Sequence, residues 1–171
     1  GSRSEGLTRV DTRTGKTMVY RHDPSDPASL IDNRVYSVAG AGPGAIWVGT
    51  RGGLDRFDAK TGRFTHFLHD PLDPGSLSDN FVWPMLVDSS GSLWIGTYEG
   101  GLNRYEPSTG KFTRFSHNEA NPRSLAPGIV QSLYQDRAGV IWVGLSDNGV
   151  DRFHPGLLNF THYFRDPSNP N

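Results

Sequence analysis

The chain has 171 residues, 35% hydrophobic and 11% aromatic, with 21 glycines, 17 Lys and Arg against 18 Asp and Glu, and a formal net charge of −1. This is the composition of a globular chain with a real core and many turns. There is no basic tract to leave a counterion-release footprint, so nucleic acid is not an expected partner. No cysteine is present, which excludes disulfides, thiolate metal sites and cysteine nucleophiles. The apolar runs span only a few residues against the roughly 20 that cross a bilayer, so direct membrane insertion is not expected either.

Repetition organises everything else. The string Trp-Ile/Val-Gly-Thr/Leu, a short connector, then Gly-Leu/Val-x-Arg occurs at residues 47–56, 94–104 and 142–152, with a partial copy at Gly6-Leu7-Thr8-Arg9. The three tryptophans lie 47 and 48 residues apart, whereas Leu7 to Trp47, Leu54 to Trp94 and Leu102 to Trp142 are each 40 residues. The extra residue therefore falls in the connector after the tryptophan, where loops absorb length changes. A repeat of this length signals a propeller or a solenoid.

Taken in chain order, residues 1–5 lack an initiator Met and read as a cloning scar or linker, and the chain reads as a fragment cut inside a repeat. Residues 6–33 carry half a unit, its third and fourth strands, followed by a connector. Residues 34–80 form the first full unit, with strands expected at 34–38, 46–48, 54–57 and 64–68. Residues 81–128 repeat it at 81–87, 93–95, 102–105 and 112–116. Residues 129–171 repeat it at 129–135, 141–143, 150–153 and 160–164 before a C-terminal tail. Each segment clusters β-branched and aromatic residues between glycine-rich breaks, and none shows a sustained 3.6-residue period.

The breaks have turn chemistry. Asp88-Ser89-Ser90-Gly91 and Asp136-Arg137-Ala138-Gly139 put Asp at the opening and Gly at the close of a tight turn, while the first unit departs with Ala41-Gly42-Pro43-Gly44. Asp58-Ala59-Lys60-Thr61-Gly62 and Glu106-Pro107-Ser108-Thr109-Gly110 join third and fourth strands as hairpins. Four antiparallel strands per unit is the anatomy of a propeller blade. The expected fold is therefore all-β, a partial β-propeller of three complete four-stranded blades plus a half blade at the N-terminus. The tryptophans are expected to pack between blades. Pro84 fits an innermost edge strand, where proline removes no ladder bond.

The motifs Asp-x-x-Gly-x-Leu/Ile-Trp-Ile/Val-Gly-Thr, Gly-Gly-Leu-Asn/Asp-Arg-Tyr/Phe, Thr-Gly-Lys/Arg-Phe and His-Asp-Pro-x-Asp-Pro-x-Ser-Leu together resemble the two-component regulator propeller repeat, over nearly the whole chain. The resemblance implies the extracytoplasmic sensor region, periplasmic or extracellular, of a bacterial receptor. It further implies a longer parent that carries a histidine kinase or diguanylate cyclase. Closed propellers use about 4 to 8 blades, so three and a half leave apolar faces and strand edges open, and self-association is expected.

Function is expected on the face where fourth strands connect to the next first strand and second strands to third. His22, His69 and His117 recur in the long connectors. They are not read as metal ligands, because one metal needs ligands within roughly 2 Å and packed sheets are ~10 Å apart. Loop-organising hydrogen bonds are the favoured reading, and neither metal nor cofactor is expected. The ligand candidates are positions that break the repeat near the channel mouth. Arg34 and Phe81 align there, as do Tyr36, Trp83 and Gln131, and the connectors add Arg51, Tyr98, Glu99 and Asp147. Aromatic plates with polar groups suit a carbohydrate or a peptide, with plain packing as the alternative. Catalysis is not expected, since Asp88 and Asp136 are explained by turns and no nucleophile elbow, phosphate loop or paired-acid motif is present. The Asn159-Phe160-Thr161 sequon falls in an expected strand and is read as coincidence. Three functional readings stand: a ligand-sensing propeller segment, a structural or protein-interaction propeller, truncated or engineered, and a propeller lyase.

Overall fold

The structure is a computed structural model that describes residues 4–164. Arg165 and the expected tail, like the first three residues, lie outside the described residues. Among those described, every helix-or-strand element is a strand. A two-stranded sheet, β1 (Leu7–Val10) and β2 (Thr17–Tyr20), opens the chain. The next sheet is β3 (Val35–Gly40), β4 (Ala45–Thr50), β5 (Leu54–Asp58) and β6 (Arg63–Phe67). It is followed by β7 (Val82–Val87), β8 (Leu93–Thr97), β9 (Gly101–Glu106) and β10 (Lys111–Phe115). The last holds β11 (Val130–Gln135), β12 (Ile141–Leu145), β13 (Val150–Phe153) and β14 (Thr161–Tyr163). Each is an antiparallel meander in chain order.

The sheets stack as wedges. First strands approach one another, β3 against β7 and β7 against β11, and β4 and β8 also approach the first strand of the following sheet. Three buried clusters fill the spaces between sheets. Leu7, Leu30, Val35, Val48, Phe57 and Phe64 lie between the half blade and the first full blade. The next space holds Trp47, Leu54, Leu77, Val82, Leu93, Ile95 and Phe112. The third holds Trp94, Leu102, Leu125, Val130, Ile141, Val143, Phe153 and Phe160. The fold is a partial β-propeller of three blades and a half.

The Trp-x-Gly motif explains the stacking. Trp47 and Gly49 alternate onto the same face of β4, the face turned to the next blade. The Trp47 ring meets Tyr105 of the next blade edge-on, centroids 5.0 Å apart, and Trp94 meets Phe153 at 4.9 Å. The glycine leaves room for the next blade's first valine. A Cβ built on Gly49 would stand 2.6 Å from Val82 Cγ1, and one on Gly96 would stand 2.5 Å from Val130 Cγ1. In the last blade Trp142 is only half-buried, and Gly144 faces no valine, only Ser132 of its own sheet.

Strands begin one residue later than the sequence suggests on the inner edge. Arg34, Phe81 and Ile129 precede β3, β7 and β11, and their carbonyls accept from Arg51 N, Tyr98 N and Ser146 N of the connectors. Phe160 likewise stands outside β14, although its amide bonds Arg123 O of the incoming connector just as Phe64 and Phe112 bond theirs from within β6 and β10. Pro84 lies on β7, an edge strand, at a break in its pairing with β8.

Candidate functional site

The long connectors are self-bonded loops. In the first, Asp23 Oδ1 accepts from Ser25 N and Ser25 Oγ, and Ser29 Oγ donates to Asp23 O. His22, His69 and His117 each place Nδ1 2.8 to 3.1 Å from the carbonyl that closes their own loop, of Leu30, Leu77 and Leu125. Those three leucines are buried and anchor the loops in the inter-blade core.

A second clasp pins two of these connectors to the outer strands, and sequence reasoning missed it. Asp55, fully buried on β5, accepts from Ile31 N at 2.9 Å through Oδ2 and meets His66 Nδ1 at 2.6 Å through Oδ1. His66 Nε2 reaches Pro27 O. Asp151, Ala126 N, His162 and Pro122 O repeat the arrangement in the last blade. In the middle blade Asn103 accepts from Ser78 N, and Arg114 donates to the carbonyls of Ser76, Asp73 and Leu77. Burial pushes the Asp55 carboxyl up despite its bonds. Burial pulls His162 down, but the Asp151 carboxylate and the Pro122 carbonyl outweigh it and leave the imidazole above its ordinary value. The signal in the sequence was an Asp on the third strand eleven residues before a His on the fourth, present in only two blades.

The candidate ligand residues divide into a group that is brought together and a group that is not. Phe81 stacks on Trp83 with centroids 5.9 Å apart and planes 4° off parallel, and on Tyr98 at 5.1 Å and 10°. Tyr36 of the preceding blade leans against Phe81 at 4.9 Å and Trp83 at 6.0 Å. The Arg51 guanidinium lies 5.8 Å from the Phe81 centroid. These five residues form one aromatic platform at the junction of inner strands and connectors, on which Tyr98 is 38% exposed. Tyr36, Trp83 and Gln131 all sit where strand pairing slips, between Val35 and Ser37, Val82 and Met85, and Val130 and Ser132. Such bulges re-aim side chains, here toward the inner rim.

The others lie apart from that platform or bond only locally. Arg34 donates through Nε to Asp32 at 2.9 Å, and the Glu99 amide donates to Asp79 at 3.1 Å. Asp147 accepts from Ser146 Oγ, and Gln131 is exposed on β11. Among the described residues no group of three or more His, Asp or Glu converges on a point that could hold a metal. No helix among them is long and apolar enough to cross a membrane.

The opposite face carries a bond that connects turn chemistry to blade packing. Asp88 Oδ2 accepts from Trp94 Nε1, and Asp136 Oδ2 from Trp142 Nε1, both at 2.8 Å, while the Oδ1 atoms take the turn amides. Burial raises Asp88, but the Ser90 and Trp94 bonds with the turn amides hold it below the usual carboxylate range. The Trp142 bond is the first of the causes that lower Asp136.

Fold and site together define an all-β propeller segment with an aromatic platform at its inner rim. The model of the two component regulator propeller matches residues 76–99 and 124–147, so these stretches are two-component regulator propeller repeats. Among solved structures, the extracellular domain of BT4673 from B. thetaiotaomicron, assigned as a hybrid two component system, is 27% identical, with a TM-score of 0.75 over 96% of this chain and 20% of that one. The extracellular domain of BT3049 from the same organism, similarly assigned, has a TM-score of 0.77 at 20% identity over 95% of this chain and 25% of that one. The WD40 β-propeller domain of Doa1 shares the fold at 20% identity and a TM-score of 0.53, over 72% of this chain and 37% of that one. The chain thus spans a quarter or less of the length of the two-component relatives. A search of curated proteins finds no match.

Proposed function

We propose that this chain is a ligand-sensing segment of a bacterial receptor's extracytoplasmic propeller, periplasmic or extracellular, with a binding rather than a catalytic role. The observation that carries this reading is the platform of Tyr36, Phe81, Trp83 and Tyr98 with Arg51 over one ring. It combines four aromatic faces from two blades and a connector with a cation, on a scaffold of bulged inner strands. Flat aromatic faces stack on sugar rings or peptide side chains, and neighbouring donors fix orientation. Resemblance to extracellular sensor domains supports the setting. The remaining candidates Arg34, Glu99, Gln131 and Asp147 form an outer rim on the same reading. The test is a calorimetric titration with a panel of neutral oligosaccharides and short peptides, followed by the Trp83→Ala and Tyr98→Ala variants. Binding by the wild type that falls about tenfold or more in both variants supports the platform. Equal binding by wild type and variants would refute it.

A second reading is favoured by the free face of the last sheet. There Tyr134 is 63% and Tyr163 44% exposed beside the half-buried Trp142, while Val10 and Val19 are exposed on the first sheet. On this reading another blade, from a second copy, stacks on that face. Sedimentation velocity of the wild type and of Tyr134→Lys separates the cases. A concentration-dependent oligomer lost in the variant is expected, and a monomer at all concentrations counts against it.

A further inference from the structure

The face opposite the connectors holds two equivalent crevices, one between each pair of full blades. Between the second and third full blades the crevice is lined by Asp88, Ser90, Ser92, Trp94, Arg104 and Gln135 among others. It is closed by the repeat's own groups. Asp88 caps the Trp94 indole, Ser90 Oγ also donates to Asp88, and Gln135 Oε1 bridges the blades by accepting from Ser89 N at 2.7 Å.

The crevice between the first and second full blades has the same walls with every closing group removed. Ala41 stands at the position of Asp88, Pro43 at Ser90, Ala45 at Ser92 and Val87 at Gln135. The donors persist. Trp47 and Arg56 both line this crevice, as Trp94 and Arg104 line the other. Trp47 is 6% exposed, and neither its Nε1 nor the Arg56 guanidinium has a hydrogen-bond partner among the described residues. Asp58 is an acid close to Arg56, and its Oδ1 is already committed to the amides of Lys60 and Thr61. The cavity measures about 530 Å³ against about 360 Å³ for its equivalent. Its other wall, Leu93, Tyr105 and Pro107, is apolar apart from the tyrosine hydroxyl.

We propose that this crevice binds a small monocarboxylic acid with an apolar body. Its carboxylate takes the place that Asp88 occupies in the next repeat, accepting from Trp47 Nε1 and pairing with Arg56, and its body lies on Leu93, Tyr105 and Pro107. Trp47 and Arg56 are cross-strand partners on the crevice wall, and a carboxylate placed there accepts from the indole N–H and the guanidinium through charge-assisted bonds. The inference is independent of the aromatic platform, which lies on the opposite face.

The experiment is an indole ¹H–¹⁵N titration of the intact chain with butyrate, benzoate and glucuronate, with butyramide and benzamide as uncharged controls. Butyrate and benzoate are expected to shift one indole resonance saturably. The amides are expected to leave it in place, and glucuronate, whose body is a polyol, to bind more weakly. Ala41→Asp supplies the missing carboxylate within the chain, so that variant is expected to show the shifted resonance without ligand and to lose the response to benzoate. Arg56→Gln, which leaves the turn untouched, is expected to weaken benzoate about tenfold, as loss of one charge-assisted bond implies. No saturable shift with either acid, an equal shift with the amides, glucuronate binding tighter than benzoate, or an undiminished response in both variants would overturn the proposal.

Discussion

Single residues decide how this repeat works, and the same position holds different residues in different blades. The clasp of Asp151 and His162, built as Asp55 and His66 build theirs and replaced by Asn103 and Arg114 in the middle blade, is the clearest case. Both imidazole nitrogens face acceptors, Asp151 Oδ1 at 2.6 Å and Pro122 O at 3.0 Å, so the ring satisfies both only when doubly protonated. The folded state accordingly raises the His162 pKa. A raised value means the stabilisation is fully present below the ordinary histidine value of about 6.5 and is lost as pH rises through the folded value. Thermal unfolding across pH 6 to 9, about the range where histidines titrate, is expected to show the wild type losing stability relative to His162→Gln as pH rises. Parallel profiles would remove the charged-clasp interpretation.

At the scale of elements, the sequence exposed nearly all the strands and few of the contacts between them. The second and third strands were legible because Trp-x-Gly and Gly-Leu-x-Arg impose steric demands that other residues do not meet. Gly101, with φ of 74°, is an example, since a Cβ there would stand 2.5 Å from Phe115 O. First strands were less legible at their starts, because side-chain carboxylates and connector amides replace ladder bonds at Arg34 and Phe81. Tyr36, Trp83 and Phe81 were found as departures from the repeat, but their gathering into one platform depends on bulges, which pairing registers reveal and composition does not. Asp88 and Asp136 are legible as turn residues from the sequence. Their bonds to Trp94 and Trp142 were hidden because a six-residue offset has no meaning until the hairpin folds back.

For the whole molecule, the recurring device is a valine of one blade entering the space above a glycine of the preceding one, with a tryptophan beside it. It operates at Gly49 with Val82 and at Gly96 with Val130, and it is set up but unfilled at Gly144. This one-way asymmetry orders the described blades. It also places the two proposed sites on opposite faces of the same wedge, the aromatic platform at the connectors and the carboxylate crevice at the hairpins. The most direct test is chemical denaturation of Gly96→Ala beside Gly144→Ala at matched protein concentration. The Gly96 substitution is expected to cost about 1–3 kcal/mol, since its methyl meets Val130 and Pro84. The Gly144 substitution is expected to cost less than about 1 kcal/mol, since a serine rotation accommodates it. Equal losses at the two positions would contradict the stacking of blades through these valine-filled spaces.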